Sequence, residues 1–219
     1  MNQDNNSTEH YFAAEPKSKE RFGLIRTSLC RRNFEFLTAS SVFSKRRIDL
    51  GTRLLIESMI LPKTGCILDI GCGYGAVGIV AAALNPKLRV IMTDVNVRAV
   101  RLTRKNLPLN KITNAEVRYG HFYEPVEDLR FECILSNPPV SAGMETVKAI
   151  VTQAPKVMAD KATFQMVIRS KIGAKALPAL FSETFGNCSI LDRESGFRVL
   201  LGQYAFLARD RITTWKKKP

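Results

Sequence analysis

A carboxylate and three alternating glycines, Asp69-Ile70-Gly71-Cys72-Gly73-Tyr74-Gly75, stand between an apolar run of strand type at 66–70 and an alanine-rich run at 76–84. The second run reads as a buried helix. Strand, glycine turn and helix make the first half of a βαβ unit, where a nucleotide-like ligand can approach the backbone. Side chains would block that approach, and positive φ is inexpensive only for glycine. The spacing Gly71-x-Gly73-x-x-Ala76 also meets the loose dinucleotide fingerprint, so NAD is one reading. Asp69 argues against it. A carboxylate at the strand's end repels a pyrophosphate but suits the ammonium and sulfonium of S-adenosylmethionine (SAM). The bland alternative is a βα turn whose glycines serve only tight packing.

Further groups fall at the ends of later strand-like runs. Asp94 closes the run 88–94, about 20 residues beyond the turn, where a carboxylate can accept both ribose hydroxyls of an adenosine. Capping the next helix is its alternative role. Val95 follows it onto the adenine face. Gly120-His121-Phe122-Tyr123 follows the third strand. In a SAM site that turn offers an acceptor to the adenine amino group, and His121 can accept only as neutral imidazole. It reads equally well as an exposed turn histidine. Ser136-Asn137-Pro138-Pro139 ends the fourth strand. Its two prolines fix φ and remove two donors, leaving the local carbonyls free to face a ligand. The Asn137 side-chain oxygen and the Pro138 carbonyl can then accept both hydrogens of an exocyclic amine. The amine lone pair is thereby turned out of conjugation, towards an electrophilic methyl group. Such a displacement needs no metal and no strong base. In isolation the tetrapeptide is a simple Asn-Pro turn.

Alternating strands and helices must hold these groups. The spacing predicts a helix over 49–60 stopped by Pro62, strand 88–94, helix 96–106 capped by Asn96, and strands 115–119 and 131–136. Helix 144–157, strand 163–168, helix 174–185, strand 188–191 and a last strand 197–207 follow. The fold class is therefore α/β: a Rossmann-like doubly wound sheet, mostly parallel, with an antiparallel last strand. Two alternating segments, 22–25 and 33–37, joined by a basic linker, predict an N-terminal β-hairpin extension. The expected division is a flexible N-terminus (1–16), the hairpin extension with a basic loop (17–48), a SAM-dependent methyltransferase domain (49–208) and a basic tail (209–219).

Composition narrows the class. The chain has 219 residues, 45% of them hydrophobic, enough for a core, with no apolar run of membrane-spanning length. The first nine residues are polar and lack a secretion-type pattern, so a cytoplasmic location is expected. Five cysteines (Cys30, Cys66, Cys72, Cys133, Cys188) form no CxxC pair, and the histidines are His10 and His121. No metal is expected; reduced, buried thiols are, with Cys72 covered by ligand. A net charge of +13 favours a polyanionic partner, most simply nucleic acid. Nine basic residues fall before residue 50, and Lys216-Lys217-Lys218 form a second set.

Taken together, Asp69-x-Gly71-x-Gly73-x-Gly75, Asp94 and Asn137-Pro138-Pro139 resemble a class I SAM-dependent methyltransferase acting on nitrogen. Further motifs narrow the resemblance: Val42-Phe43-Ser44, Asp49-x-Gly51-Thr52-x-Leu54-Leu55, Gly143 after the prolines, and Gly196-Phe197-Arg198-Val199-Leu200. They are similar to the "methyltransferase small" family, whose best-known members are 16S ribosomal RNA guanine-N2 methyltransferases of the RsmC type. The similarity runs from residue 10 to about 207, as in the short members. It implies that Asp69, Gly71, Cys72, Gly73, Tyr74 and Gly75 line the methionine and ribose side of SAM. Asp94 and Val95 would take the adenosine, with His121 and Phe122 at the adenine. Asn137, with Pro138 and Pro139, would hold the target amine. Phe43 and Ser44 would cover the site, and Lys45, Arg46 and Arg47 would meet phosphates. The implied partner is ribosomal RNA or the small ribosomal subunit. His121 stands where the family has an acid, and Val140 where related enzymes often carry a stacking aromatic. Glutamine N-methylation of a protein and a catalytically silent RNA-binding module remain alternatives.

Overall fold

The computed structural model describes residues 21–40, 42, 44, 47–139 and 143–205. The expected flexible N-terminus and basic tail, and Phe43, Lys45, Arg46 and Val140, lie outside these residues. Among the described residues, a two-stranded antiparallel hairpin, β1 (Phe22–Leu29) and β2 (Arg32–Ala39), precedes a seven-stranded sheet. The chain then runs α1 (Leu50–Ser58), β3 (Gly65–Ile70), α2 (Ala76–Leu84), β4 (Leu88–Asp94), α3 (Val97–Leu109), β5 (Ala115–Tyr119) and β6 (Phe131–Ser136). It continues with α4 (Met144–Gln153), β7 (Met158–Arg169), α5 (Ala176–Phe185), β8 (Ser189–Glu194) and β9 (Phe197–Gln203). The strand order is β5-β4-β3-β6-β7-β9-β8, parallel except that β9 is antiparallel to both its neighbours. This is the expected Rossmann-like sheet with its antiparallel last strand. Only two residues, Ser195 and Gly196, join β8 to β9, both at positive φ (49° and 79°). So short a connection forces an antiparallel return.

The strand pattern explains the layering. Ile67, Val90, Cys133, Leu135, Val167 and Val199 face the core shared with the hairpin, α1, α2 and α3. Leu68, Ile70, Ile91, Ile134, Phe164, Met166 and Ile168 alternate with them and face α4 and α5. Strands covered on both sides read as near-continuous apolar runs, as β3 and β6 do.

Several boundaries differ from the sequence reading. The hairpin strands run on to Leu29 and start again at Arg32, so the expected basic linker is strand apart from Cys30 and Arg31. Those two residues take positive φ (47° and 61°) without glycine or asparagine, which is why the turn left no mark in the sequence. The Glu57 carboxylate accepts the Cys30 amide, and the Arg32 guanidinium donates to the Ala83 carbonyl, so α1 and α2 brace the turn. Helix α4 ends at Gln153, before a 3-10 turn at Ala154–Lys156 that contains Pro155. Helix α3 runs past Asn106 to Leu109, β7 begins five residues early, at Met158, and β9 ends at Gln203 rather than at 207.

Two asparagines, Asn106 in α3 and Asn110 at its C-terminal cap, attach the hairpin to the sheet domain. Asn106 Oδ1 accepts the Leu37 amide at 2.8 Å, and its Nδ2 donates to the Leu37 and Tyr74 carbonyls at 3.0 and 2.9 Å. One turn on, Asn110 pairs in the same way with the amide and carbonyl of Glu35. Each side chain thus completes β2's open edge as a neighbouring strand would. The Phe36 ring packs against Tyr74 with centroids 5.6 Å apart.

Candidate active site

From β3 the chain steps one way through β4 and β5, then returns to β6 on β3's other side. The loops leaving β3 and β6 therefore diverge, and a crevice opens at the strands' carboxyl ends, the usual ligand position in such sheets. A cavity lies there, lined among others by Asp69, Gly71, Gly73, Asp94, Phe122 and Asn137. It joins residues from four strand ends and includes Asn137, Pro138 and Pro139.

The glycine turn has a defined geometry. Gly71 and Cys72 both donate their amides to the Thr93 carbonyl, and Gly75 donates to the Cys72 carbonyl. Gly71, Gly73 and Gly75 take φ of 73°, 60° and 91°. Their surroundings differ. A Cβ on Gly71 or Gly73 would meet nothing within 4 Å, whereas one on Gly75 would lie 2.9 Å from the Thr103 methyl. Gly71 and Gly73 are thus open to the cavity, and Gly75 is packed. Gly78, in α2, belongs with the packed kind: its Cβ would sit 2.5 Å from Met92.

The two aspartates hold this loop from both sides. Asp69 is buried and accepts the Gly78 amide at 2.8 Å through Oδ2. Asp94 accepts the Gly73 amide through Oδ2 and the Asn96 amide through Oδ1, each at 2.8 Å. Asp94 does not itself cap α3: Asn96 does, accepting from Arg98 and Ala99. Burial pushes the Asp69 carboxyl up to about 7, against the Gly78 hydrogen bond, with the nearby Asp94 charge adding to the rise. Burial likewise pushes Asp94 up to about 6, opposed by the amides it accepts. Asp69, buried, and Asp94, half-buried, stand 25 positions apart in sequence; both are costly to ionise, and a positively charged ligand with hydroxyl donors would suit them.

The remaining expected residues sort by what they touch. Val95, His121 and Phe122 line the cavity together. Phe122 takes positive φ (48°) and its ring lies 3.9 Å from the His121 imidazole, centroid to centroid. Cys72 and Tyr74 also line it. The Cys72 thiol, however, lies 3.8 Å from the Thr103 hydroxyl, and Tyr74 is buried against Phe36. Protein rather than ligand accounts for the burial of that thiol. All five cysteines are free. Ser44 hydrogen-bonds to the Arg47 carbonyl, and the cavity lining includes neither, taking Val42 instead.

Asn137 has partners that the sequence did not suggest. Its Nδ2 donates to the Thr52 hydroxyl at 2.8 Å and to Asp49 Oδ2 at 3.3 Å. Its Oδ1 accepts nothing among the described residues. Thr52, Thr93, Ala99, Thr146 and Ile150 also line the cavity and were not singled out as site residues. The one trace of Thr52 in the sequence was its place in the Asp49-x-Gly51-Thr52 motif.

The lining fits SAM on structural grounds. Two glycines leave open space where a Cβ would stand, and two raised carboxyls face a cavity that also has an aromatic wall. Among the described residues no group of three or more His, Cys, Asp or Glu is placed to hold a metal, and no helix is long and apolar enough to cross a membrane.

Residues 33–201 match the family model described as the methyltransferase small domain. An uncharacterised protein, YbxB of Bacillus subtilis (strain 168), is 34% identical over 88% of this chain and 97% of its own length. A ribosomal RNA small subunit methyltransferase C of Hamiltonella defensa is 30% identical over 77% of this chain and 50% of its own. The chain thus spans about half the length of the ribosomal RNA methyltransferases it matches. Among solved structures, a T. thermophilus 16S rRNA N2 methyltransferase (RsmC), in complex with AdoMet and guanosine, superposes with a TM-score of 0.76 at 22% identity. The match covers 86% of this chain and 52% of that one, and it speaks to the fold.

Proposed function

The chain belongs to the methyltransferase small domain family, and from that premise we propose that it methylates the exocyclic N2 of a guanine in ribosomal RNA. Its cofactor is S-adenosylmethionine, whose sulfonium supplies an electrophilic methyl group. The observation that carries the reading is Asn137. Its amide nitrogen is committed to α1 and its oxygen is not, in the wall of the cavity that also holds the open glycines.

In this reading Asp69 and Asp94 hold the donor's charged and hydroxyl groups, and the Gly71–Gly73 backbone lies against it. The Asn137 Oδ1 and Pro138 carbonyl accept the two N–H groups of the guanine amine, turning its lone pair towards the methyl carbon. The N–C bond forms as the S–C bond breaks. The methylated nitrogen, now positively charged, is acidic enough to lose its proton to water, so no basic side chain is required. The net charge of +13 suits an RNA substrate, and Arg47, exposed beside the loop, is placed for a phosphate. A ribosomal substrate makes the cytoplasm its place of action.

The test is transfer of labelled methyl from SAM to ribosomal RNA and subunits from a strain lacking this protein, followed by nuclease and protease digestion. Label recovered as N2-methylguanosine supports the proposal. Label in protein would transfer the reading to glutamine methylation. The Asn137→Ala variant keeps its SAM affinity and loses transfer, because the interaction removed acts on the reacting amine rather than on the cofactor.

A further inference from the structure

The Asp49-x-Gly51-Thr52 motif has no role in the mechanism above, yet its side chains touch the residue that mechanism depends on. Asp49 caps α1, accepting the Thr52 amide at 3.1 Å, and the same Oδ2 lies 3.3 Å from Asn137 Nδ2. The Thr52 hydroxyl accepts from Nδ2 at 2.8 Å, and Thr52 itself is buried. Gly51 lets α1 come this close: a Cβ there would stand 2.9 Å from the Phe197 ring of β9.

We propose that Asp49 and Thr52 are positioning residues that fix which way round the Asn137 amide sits, and so turn its oxygen towards the methyl acceptor. This rests on the methyltransferase reading above. An asparagine amide can flip, exchanging an acceptor for a two-proton donor with little change of shape. Flipped, Asn137 would bring Oδ1 against the Asp49 carboxylate, which can only accept when ionised, and would present N–H groups to an amine that is itself a donor. The carboxylate therefore sets the polarity, and the Thr52 hydroxyl gives the second anchor. The clamp reaches from the start of α1 to the end of β6, so docking of α1 on β9 through Gly51 and Phe197 is also a condition for reactive geometry.

The test has two arms. In 15N-asparagine-labelled protein, the Asn137 side-chain amide is identified by its loss in Asn137→Asp. Thr52→Val is expected to shift that resonance and to speed its exchange with water roughly tenfold, the equivalent of one hydrogen bond. Thr52→Ser keeps both near wild type. In transfer assays, Thr52→Val lowers kcat on the order of 10²-fold while SAM affinity stays unchanged, and Thr52→Ser restores the rate. Should Thr52→Val fail to fold, Asp49→Ser takes its place, since serine still caps the helix but lacks the carboxylate. An Asn137 resonance indifferent to these changes, or a variant with wild-type kcat, overturns the proposal. If the wild-type protein methylates no RNA, the functional reading falls, and the resonance arm still decides the clamp.

Discussion

Exchanging a single hydrogen for a methyl group at two neighbouring glycines separates ligand binding from folding. Gly73 and Gly75 both take positive φ, so alanine at either carries a left-handed penalty of about 1–2 kcal/mol. The added methyl finds open cavity at position 73, but at 75 it stands 2.9 Å from the Thr103 methyl and 3.1 Å from Ile79 Cδ1, both fully buried. Overpacking of that kind adds about 1–3 kcal/mol. Gly73→Ala should therefore lose about 1–2 kcal/mol, and Gly75→Ala about 2–5 kcal/mol. For a chain of this size each kcal/mol moves Tm by about 2–4 °C, so ligand-free thermal unfolding resolves the two variants. Calorimetric titration with SAM should rank them in the opposite order. Gly73→Ala, the milder change to the fold, places its methyl where the ligand must approach and should weaken binding by at least about tenfold, or about 1.4 kcal/mol. Gly75→Ala, measured below its Tm, should bind more nearly as wild type does. Wild-type SAM affinity in Gly73→Ala, or losses of affinity that simply follow losses of stability, would refute the division of the glycines into open and packed.

Three further outcomes follow from the buried polar groups and the charge. Asp69 and Asp94 have folded-state values raised from 3.8 to about 7 and about 6, so the folded chain holds protons that the unfolded chain releases. Their contribution to stability is fully present below about pH 4 and is lost as pH rises through 6 to 7. Asp69→Asn, which removes the charge and can still accept the Gly78 amide, should raise the ligand-free Tm relative to wild type most at pH 8, less at pH 5 and little below about pH 4, and should weaken SAM binding. Asn106→Ala strands the Leu37 amide and carbonyl and the Tyr74 carbonyl, and should cost about 2–4 kcal/mol in denaturant unfolding while making the hairpin open to limited proteolysis. RNA affinity should fall steeply with salt, by roughly 10³-fold between 50 and 200 mM if about six phosphates are contacted, with Arg47→Ala reducing the log–log slope by about one. A flat salt dependence would remove RNA as the partner that the net charge of +13 suggests.

What could be read without coordinates was local. Apolar periodicity located the nine strands and five α-helices of the described residues to within a few residues, with the widest errors at β7 and at the hairpin turn. Asp69, Asp94 and Asn137 stood out because each stands at the end of an apolar run that must be a strand, and a doubly wound sheet brings strand ends together. The turn at Cys30 and Arg31 was missed because its left-handed residues are held by Glu57 and Ala83 rather than by glycine. Cys72 and Tyr74 were placed in the site by their position in the motif. Both line the cavity, and the contacts of the thiol with Thr103 and of the Tyr74 ring with Phe36 were not legible, since the direction of a side chain depends on the elements lying over it.

The sequence by itself determined the order of strands and helices, the chemical type of the site and the sign of the surface charge, because backbone periodicity, residue chemistry and net charge are properties of the chain. Only the tertiary structure decided which glycines stand open to the cavity, how two asparagines seal the hairpin to α3, and that Thr52 and Asp49 grip Asn137. Each of those depends on two segments distant in sequence meeting at hydrogen-bond distance. The meeting is set by core packing, such as Gly51 against Phe197, and no local pattern in the sequence records it.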